Sequence, residues 1–517
     1  MKRIIALSLA LVMIVALAAC GQKSGGADSD TLILRAETAF TTLDPANSNN
    51  THDIILYDQV YDGLYGLDEA HGGYYNELAE EVVANEDSTQ YTVTLKDGIK
   101  FANGEPVTAQ DCVFTYERAF QNANMNYLVS MIDNVEAPDE KTFVINLKYP
   151  YAPIAHTLFR VKIVSEKEVT EQGDKFGTIP NTAGAGPYII DEFDIATGCK
   201  LIANENYYEG APDIKKVEYR VYSDPAAAVI AFENGELDFY DQAALSDWES
   251  LKAAAGDNNA MVTGNNITWL GINYASPTNN NILGNDLVRQ AIFYAINKEN
   301  VNLAVCEGYG RTATTYMVPE FVPTQPTEGF ETYDYNVEKA KELLAQAGYP
   351  DGADIGTILT STSANSSKSA QVVQNELAQI GLTCQVQTLD VSAVVERTIV
   401  QDYDLTVYGD SGNYDFNNIR QQVHSESVGM YIIDFTLNDK FDWERIEELV
   451  EAGAATADME ERMTYYNELW AMIMDTATML PLINRPVAIV WSDRIDIGDP
   501  VPTYYKIKNF SWVETAE

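Results

Sequence analysis

Histidine and cysteine are scarce in this 517-residue chain, with four of the first and five of the second. His52, His71, His156 and His424 are scattered, and HExxH does not occur, so a helix-borne zinc hydrolase pattern is missing. Cys112, Cys199, Cys306 and Cys384 lie far apart and form no CxxC. Cys112 and Cys384 fall among apolar neighbours, so buried free thiols are expected. GxSxG is absent as well. Basic residues are few, 33 against 77 acidic ones, a formal net charge of −44. That imbalance argues against a nucleic-acid binder or an anionic-membrane binder, and it reads as a solvated acidic surface.

What is present begins at the N-terminus. Lys2 and Arg3 precede an apolar run, Ile4 to Ala19, broken only by Ser8. Its 16 residues are short for a spanning helix and suit a secretory signal over 1–19. The run ends in Leu17-Ala18-Ala19-Cys20-Gly21, which resembles a bacterial lipobox. The resemblance implies cleavage before Cys20 and lipidation of its thiol, an anchor that does not make the protein integral. Residues 20–30 then read as the lipidated Cys and a flexible tether.

The most informative stretch is Tyr91 to Phe120. Tyr91, Val93 and Leu95 alternate with threonines, as in a half-buried strand. Lys96-Asp97-Gly98 turns, Ile99 to Phe101 resumes the strand, and Asn103-Gly104 turns again. Thr108 three residues before Asp111 predicts a capping box, followed by Val113, Tyr116, Glu117 and Phe120 at helical spacing. Elsewhere a helix is predicted over 53–65, strands over 143–147, 161–164 and 269–274, and helices beginning at Asp286 and Asn336 and over 370–381. A strand follows at 384–388. Gly184-Ala185-Gly186-Pro187-Tyr188 is a poor phosphate loop, because no Lys-Ser/Thr follows and Pro187 lacks an amide donor.

Within 91–120, Leu95, Gly98, Phe101, Gly104, Pro106, Thr108, Ala109, Asp111 and Phe114 resemble the signature of the family 5 extracellular solute-binding proteins. These are the peptide- and nickel-type receptors of bacterial ABC importers. Leu43-Asp44-Pro45, Tyr61 to Tyr65, 184–188, 204–213 and 335–350 fit the same family, so the resemblance touches nearly all of the chain after the tether. It implies an α/β, periplasmic-binding-protein-like fold, with two main lobes around a ligand cleft, a third accessory lobe, and mixed sheets. The expected division is lobe I at 31–65, 184–267 and 483–517, accessory lobe II at 66–183, and lobe III at 268–482.

The implied function is capture of a ligand, an oligopeptide first, and its delivery to an ABC permease and ATPase. The expected receptor is monomeric and extracytoplasmic, without cofactor, metal or catalysis. The alternatives are an oligosaccharide or a nickel chelate, with His424 as the metal candidate, or a ligand-sensing lipoprotein. In the family's peptide binders a strand ends in G-W-x-A-D-Y, and its Asp meets the peptide amino terminus. Here the matching stretch is Tyr403 to Asp415, which offers Asn413 in register and Asp410 or Asp415 with a small gap; Tyr408 lies beside them. Trp269 could stack on a ligand, Arg485 could offer a planar fork to a carboxylate, and the Asn-rich segment around Asn49 could line the cleft. The family's dipeptide binders carry an Arg that 359–365 lacks. A secreted hydrolase is the remote alternative. Gly409-Asp410-Ser411-Gly412-Asn413 is similar to the surroundings of a trypsin-like serine, but no histidine has the matching context.

Overall fold

The computed structural model describes residues 30–48, 50–410, 414–426, 433–437 and 440–514. Cys20, Asn49 and Asn413 lie outside them. The strand Thr31–Ala36 shows how the first sheet is placed. Its apolar TLILRA sequence suits a strand covered on both faces. Leu32 and Leu34 pack with Tyr57, Tyr61 and Tyr188, while Ile33 packs with Ala228, Leu237 and Trp248 on the other side. The strand is central in a seven-stranded sheet ordered Asn259–Thr263, Pro486–Trp491, Phe239–Tyr240, Thr31–Ala36, Lys216–Val221, Gly198–Ala203, Tyr188–Asp194. It runs parallel to Lys216–Val221 and to Phe239–Tyr240.

A six-stranded sheet follows the order Arg311–Thr312, Met479–Asn484, Ile267–Ile272, Leu405–Asp410, Ala353–Ser361, Leu382–Leu389. The last three strands are parallel, which requires crossover helices, and Ala364–Gln379 packs on all of them. Ala79–Ala84, Gln90–Leu95, Thr142–Leu147 and Ile132–Glu136 form a separate antiparallel sheet under the helix Ala109–Gln121. That helix starts with the expected capping box, since the Thr108 hydroxyl accepts from the Asp111 amide while the Asp111 carboxylate accepts from the Thr108 amide. The architecture is mixed α/β with several mixed sheets.

Local expectations fail where tertiary contacts intervene. The helix expected over 53–65 is Thr51–Val60, and Tyr61 is already extended. It stops because the Gly184-Ala185-Gly186 loop lies against its end. Gly186 donates its amide to the Val60 carbonyl at 3.0 Å, and a Cβ on Gly184 would come within 2.1 Å of that oxygen. The loop's glycines serve close backbone approach. Residues 99–101, with Ile99 and Phe101 buried, and the buried 161–164 are not strands; their only β-pairings among the described residues are the isolated bridges Lys100–Pro106 and Gly63–Lys162. The helix expected from 370 starts at Ala364, and Asn285, not Asp286, caps Asp286–Ala295.

Two segments cross side by side from the seven-stranded to the six-stranded sheet, 264–266 and 484–486. Asn266 holds them together. Its Oδ1 accepts the Arg485 amide at 2.8 Å, its Nδ2 donates to the Arg485 carbonyl at 3.2 Å, and its own carbonyl accepts from Asn484 Nδ2 at 2.8 Å.

Candidate functional site

A cavity of about 710 Å³ opens between the two large sheets beside this crossing. That size is in the range of small-molecule sites. One wall forms at the carboxyl ends of the parallel strands Thr31–Ala36 and Phe239–Tyr240, the usual place for a ligand on a parallel sheet. It presents Arg35, Glu37, Tyr240 and Gln242. The period of two puts Arg35 on the face of Ile33, where its guanidinium lies over the Tyr240 ring at 4.9 Å from the centroid. Arg35 is 4% exposed, and among the described residues neither its Nε nor the Tyr240 hydroxyl has a hydrogen-bond partner. Neighbouring Asp241 is pushed up to about 6 by burial, against the pull of Arg35 and then His52. Glu37 is engaged by His52 at 3.4 Å.

The opposite wall comes from elements packed on the six-stranded sheet. Val305, Cys306 and Glu307 close the helix Lys298–Cys306, and Ala364, Asn365 and Lys368 open the helix Ala364–Gln379. Ser363 leaves the first turn of that 16-residue helix without a side-chain cap. Its amide dipoles therefore favour negative charge at this wall. Gln242 and Glu307, both in the cavity lining, hold φ of 50° and 52°, strained backbone of the kind found at binding sites. Arg485 stands at the crossing with its side chain in the lining, and burial pulls its guanidinium below the usual value.

The sequence-derived candidates separate in the folded structure. Arg485 lies in the cavity. Trp269 does not: it is fully buried in the core under the six-stranded sheet, 6.1 Å from Tyr408, which is half-buried against it. Asp415 is a correction too. Its carboxylate makes a two-pronged pair with Arg462, 2.7 Å to each guanidinium nitrogen, and its Oδ1 also accepts the Asn417 amide. The adjacent Tyr414, which sequence reasoning passed over, reaches the cavity. Asp410 ends its strand opposite Ile267, and Thr51 and His52 of the Asn-rich segment reach the lining. His424 is buried at 3.3 Å from Glu451, outside the lining. Cys112, Cys199 and Cys306 are buried free thiols and Cys384 is a half-buried one.

Sequence reasoning also missed Arg35, Lys368 and Asn266. One signal for Arg35 was available, a charged residue at the end of an otherwise apolar strand.

Residues 73–422 match the family model "Bacterial extracellular solute-binding proteins, family 5 Middle". The glutathione-binding protein GsiB of Escherichia coli strain K12 is 28% identical over 370 residues, 69% of this chain and 69% of that protein. HbpA2 from Haemophilus parasuis superposes with a TM-score of 0.82 at 24% identity, covering 94% of this chain and all of that one. The oligopeptide-binding protein AppA from Bacillus subtilis, solved with a nonapeptide, gives 0.72 at 21% identity, covering 94% and 99%. At these identities the structural likenesses speak for the fold. The family match covers more than half of the sequence, and the chain belongs to the family 5 bacterial extracellular solute-binding proteins, the non-catalytic, extracytoplasmic substrate-binding subunits of ABC importers. No helix among the described residues is long and apolar enough to cross a membrane.

Proposed function

We propose that this solute-binding protein captures a short peptide in the cavity between its two large sheets and presents it to a membrane permease. The seven-stranded sheet belongs to lobe I, the six-stranded sheet to lobe III, and the four-stranded sheet to accessory lobe II. Ligand contacts to both walls shift the balance toward a closed form, since only closure lets one molecule touch them together. A lipid on Cys20 holds the receptor at the membrane surface, and the ATPase of the importer supplies the energy.

The observation that carries this reading is the cavity itself. It is of ligand size, it abuts a two-segment crossing, and it is lined by side chains suited to a polar, charged ligand. The relative GsiB is named for glutathione, itself a small peptide, and AppA was solved with one. Native mass spectrometry of the protein purified from cells without its leader and Cys20 tests the reading. Co-purifying masses that fragment as short peptides are expected. An empty protein that shows no thermal shift with a peptide library, but a shift with sugars or nickel, overturns it.

A further inference from the structure

We infer that the ligand is a short acidic peptide, bearing a second carboxylate besides its terminal one, whose two anions are read by Arg35 on one wall and by Arg485 with Lys368 on the other. This rests on the peptide reading above and narrows it.

The chain pairs its other deeply buried cations. Arg289 donates to Asp286 and to the carbonyls of Thr476 and Leu283; Arg462 is held by Asp415; Lys162 meets Asp58 at 2.6 Å; Lys506 meets Glu77 at 2.9 Å. With 77 acidic residues available, pairing is easily arranged. Arg35 is as buried as these, yet no hydrogen bond or ion pair holds its guanidinium among the described residues. A desolvated charge without a partner is costly, and folds keep one where a ligand completes it. The groups facing it fit that role. Tyr240 fixes the plane of the guanidinium and brings a hydroxyl with no hydrogen-bond partner among the described residues, Glu37 is engaged by His52, and Asp241, raised to about 6 by burial, attracts Arg35 without forming an ion pair with it.

The second anion site is separate from the first. Arg485 is fixed through its backbone at the crossing, and its side chain enters the cavity without a carboxylate partner among the described residues. Lys368 stands near it, since both cations bear on the Cys306 thiol, and the uncapped helix start at Ala364 adds its amide dipoles. One site belongs to the seven-stranded sheet, while Lys368 belongs to the helix packed on the six-stranded one. A ligand with two anions therefore gains both interactions only when the walls are close, which couples charge recognition to closure. A neutral peptide, with one carboxylate, leaves one site unmet.

The test is isothermal titration of the full soluble chain with matched tripeptides, Glu-Ala-Ala, Ala-Glu-Ala and Ala-Ala-Glu against their Gln twins, together with glutathione. At least one acidic peptide is expected to bind about tenfold or more tightly than its Gln twin. Arg35→Gln should weaken the acidic peptide more than its Gln twin, and Arg35→Lys should restore part of that difference. Melting of the ligand-free variants guards against misfolding: Arg35→Gln removes an unpaired buried charge, so its Tm should hold or rise. Tight binding of peptides with no Glu-over-Gln difference at any position overturns this inference and leaves the peptide reading standing. An Arg35→Gln loss that is equal for both twins also overturns it. Absence of binding by every peptide, with a shift from sugars or nickel, removes the peptide reading itself.

Discussion

Asp62 has no solvent contact and feels the charges of Glu77, Lys506, Lys508 and Lys162. Burial, and next the Glu77 charge, push its carboxyl up to about 7. Burial raises Glu77 too, but Lys506, then Lys162 and Lys508, outweigh it and hold Glu77 below its usual value. The two acids therefore act on stability in opposite directions. Glu77 stabilises above its unfolded value and loses that contribution as the solution becomes acid. Asp62 keeps its proton in the folded state, so its contribution is complete below the ordinary carboxylate range and is lost as pH climbs through 7. Scanning calorimetry should show an Asp62-dependent fall in Tm from about pH 4 to about pH 7 that levels off above it, and Asp62→Asn should flatten that fall.

At the same scale, Asp415 is a structural partner of Arg462. Asp415→Ala leaves a buried guanidinium uncompensated, and urea unfolding should register a loss of about 3–5 kcal/mol. An unchanged midpoint would return Asp415 to the pool of ligand candidates.

Among elements, the helix Thr51–Val60 is limited by what its end touches more than by its own residues. The 184–186 loop needs glycine there because the Val60 carbonyl is in the way. Gly184→Ala should cost more than an ordinary surface change, about 1–3 kcal/mol as overpacking does, and should lower the yield of soluble protein. Gly210→Ala is the control at a position with open space but a φ of +95°, where only backbone strain is added. The same comparison explains why the helix boundary was misplaced from sequence. The apolar and polar spacing of 53–65 continues past Val60, but the contact that ends the helix comes from residues more than a hundred positions away.

For the whole molecule, the two segments at 264–266 and 484–486 form the crossing between the two large sheets, and the proposed closure would turn the sheets about it. Asn266 supplies three of the bonds between them. Asn266→Ala leaves the Arg485 amide without its side-chain acceptor and should loosen the joint. Small-angle scattering should then show a larger ligand-free radius of gyration than wild type, and ligand release should quicken. Unchanged scattering and unchanged release would assign Asn266 to local packing alone.

The sequence by itself determined the fold class and the family, because strand alternation, capping residues and the 91–120 motif are local and repeat along nearly the whole chain. Thr108 with Asp111, and Asn336 at its helix start, needed nothing distant to be read. It also nominated Arg485. The rest of the site depended on tertiary structure. Trp269 and Asp415 look like ligand groups in a linear reading, and only packing under a sheet and a partner 47 residues on in sequence move them out of the cavity. Arg35, Lys368 and Arg485 lie on three distant stretches, and no spacing rule joins them. They meet because the carboxyl ends of parallel strands, a helix start and a strand crossing enclose one cavity. Whether a buried charge lacks a partner is a property of everything around it, so only the assembled fold decides it.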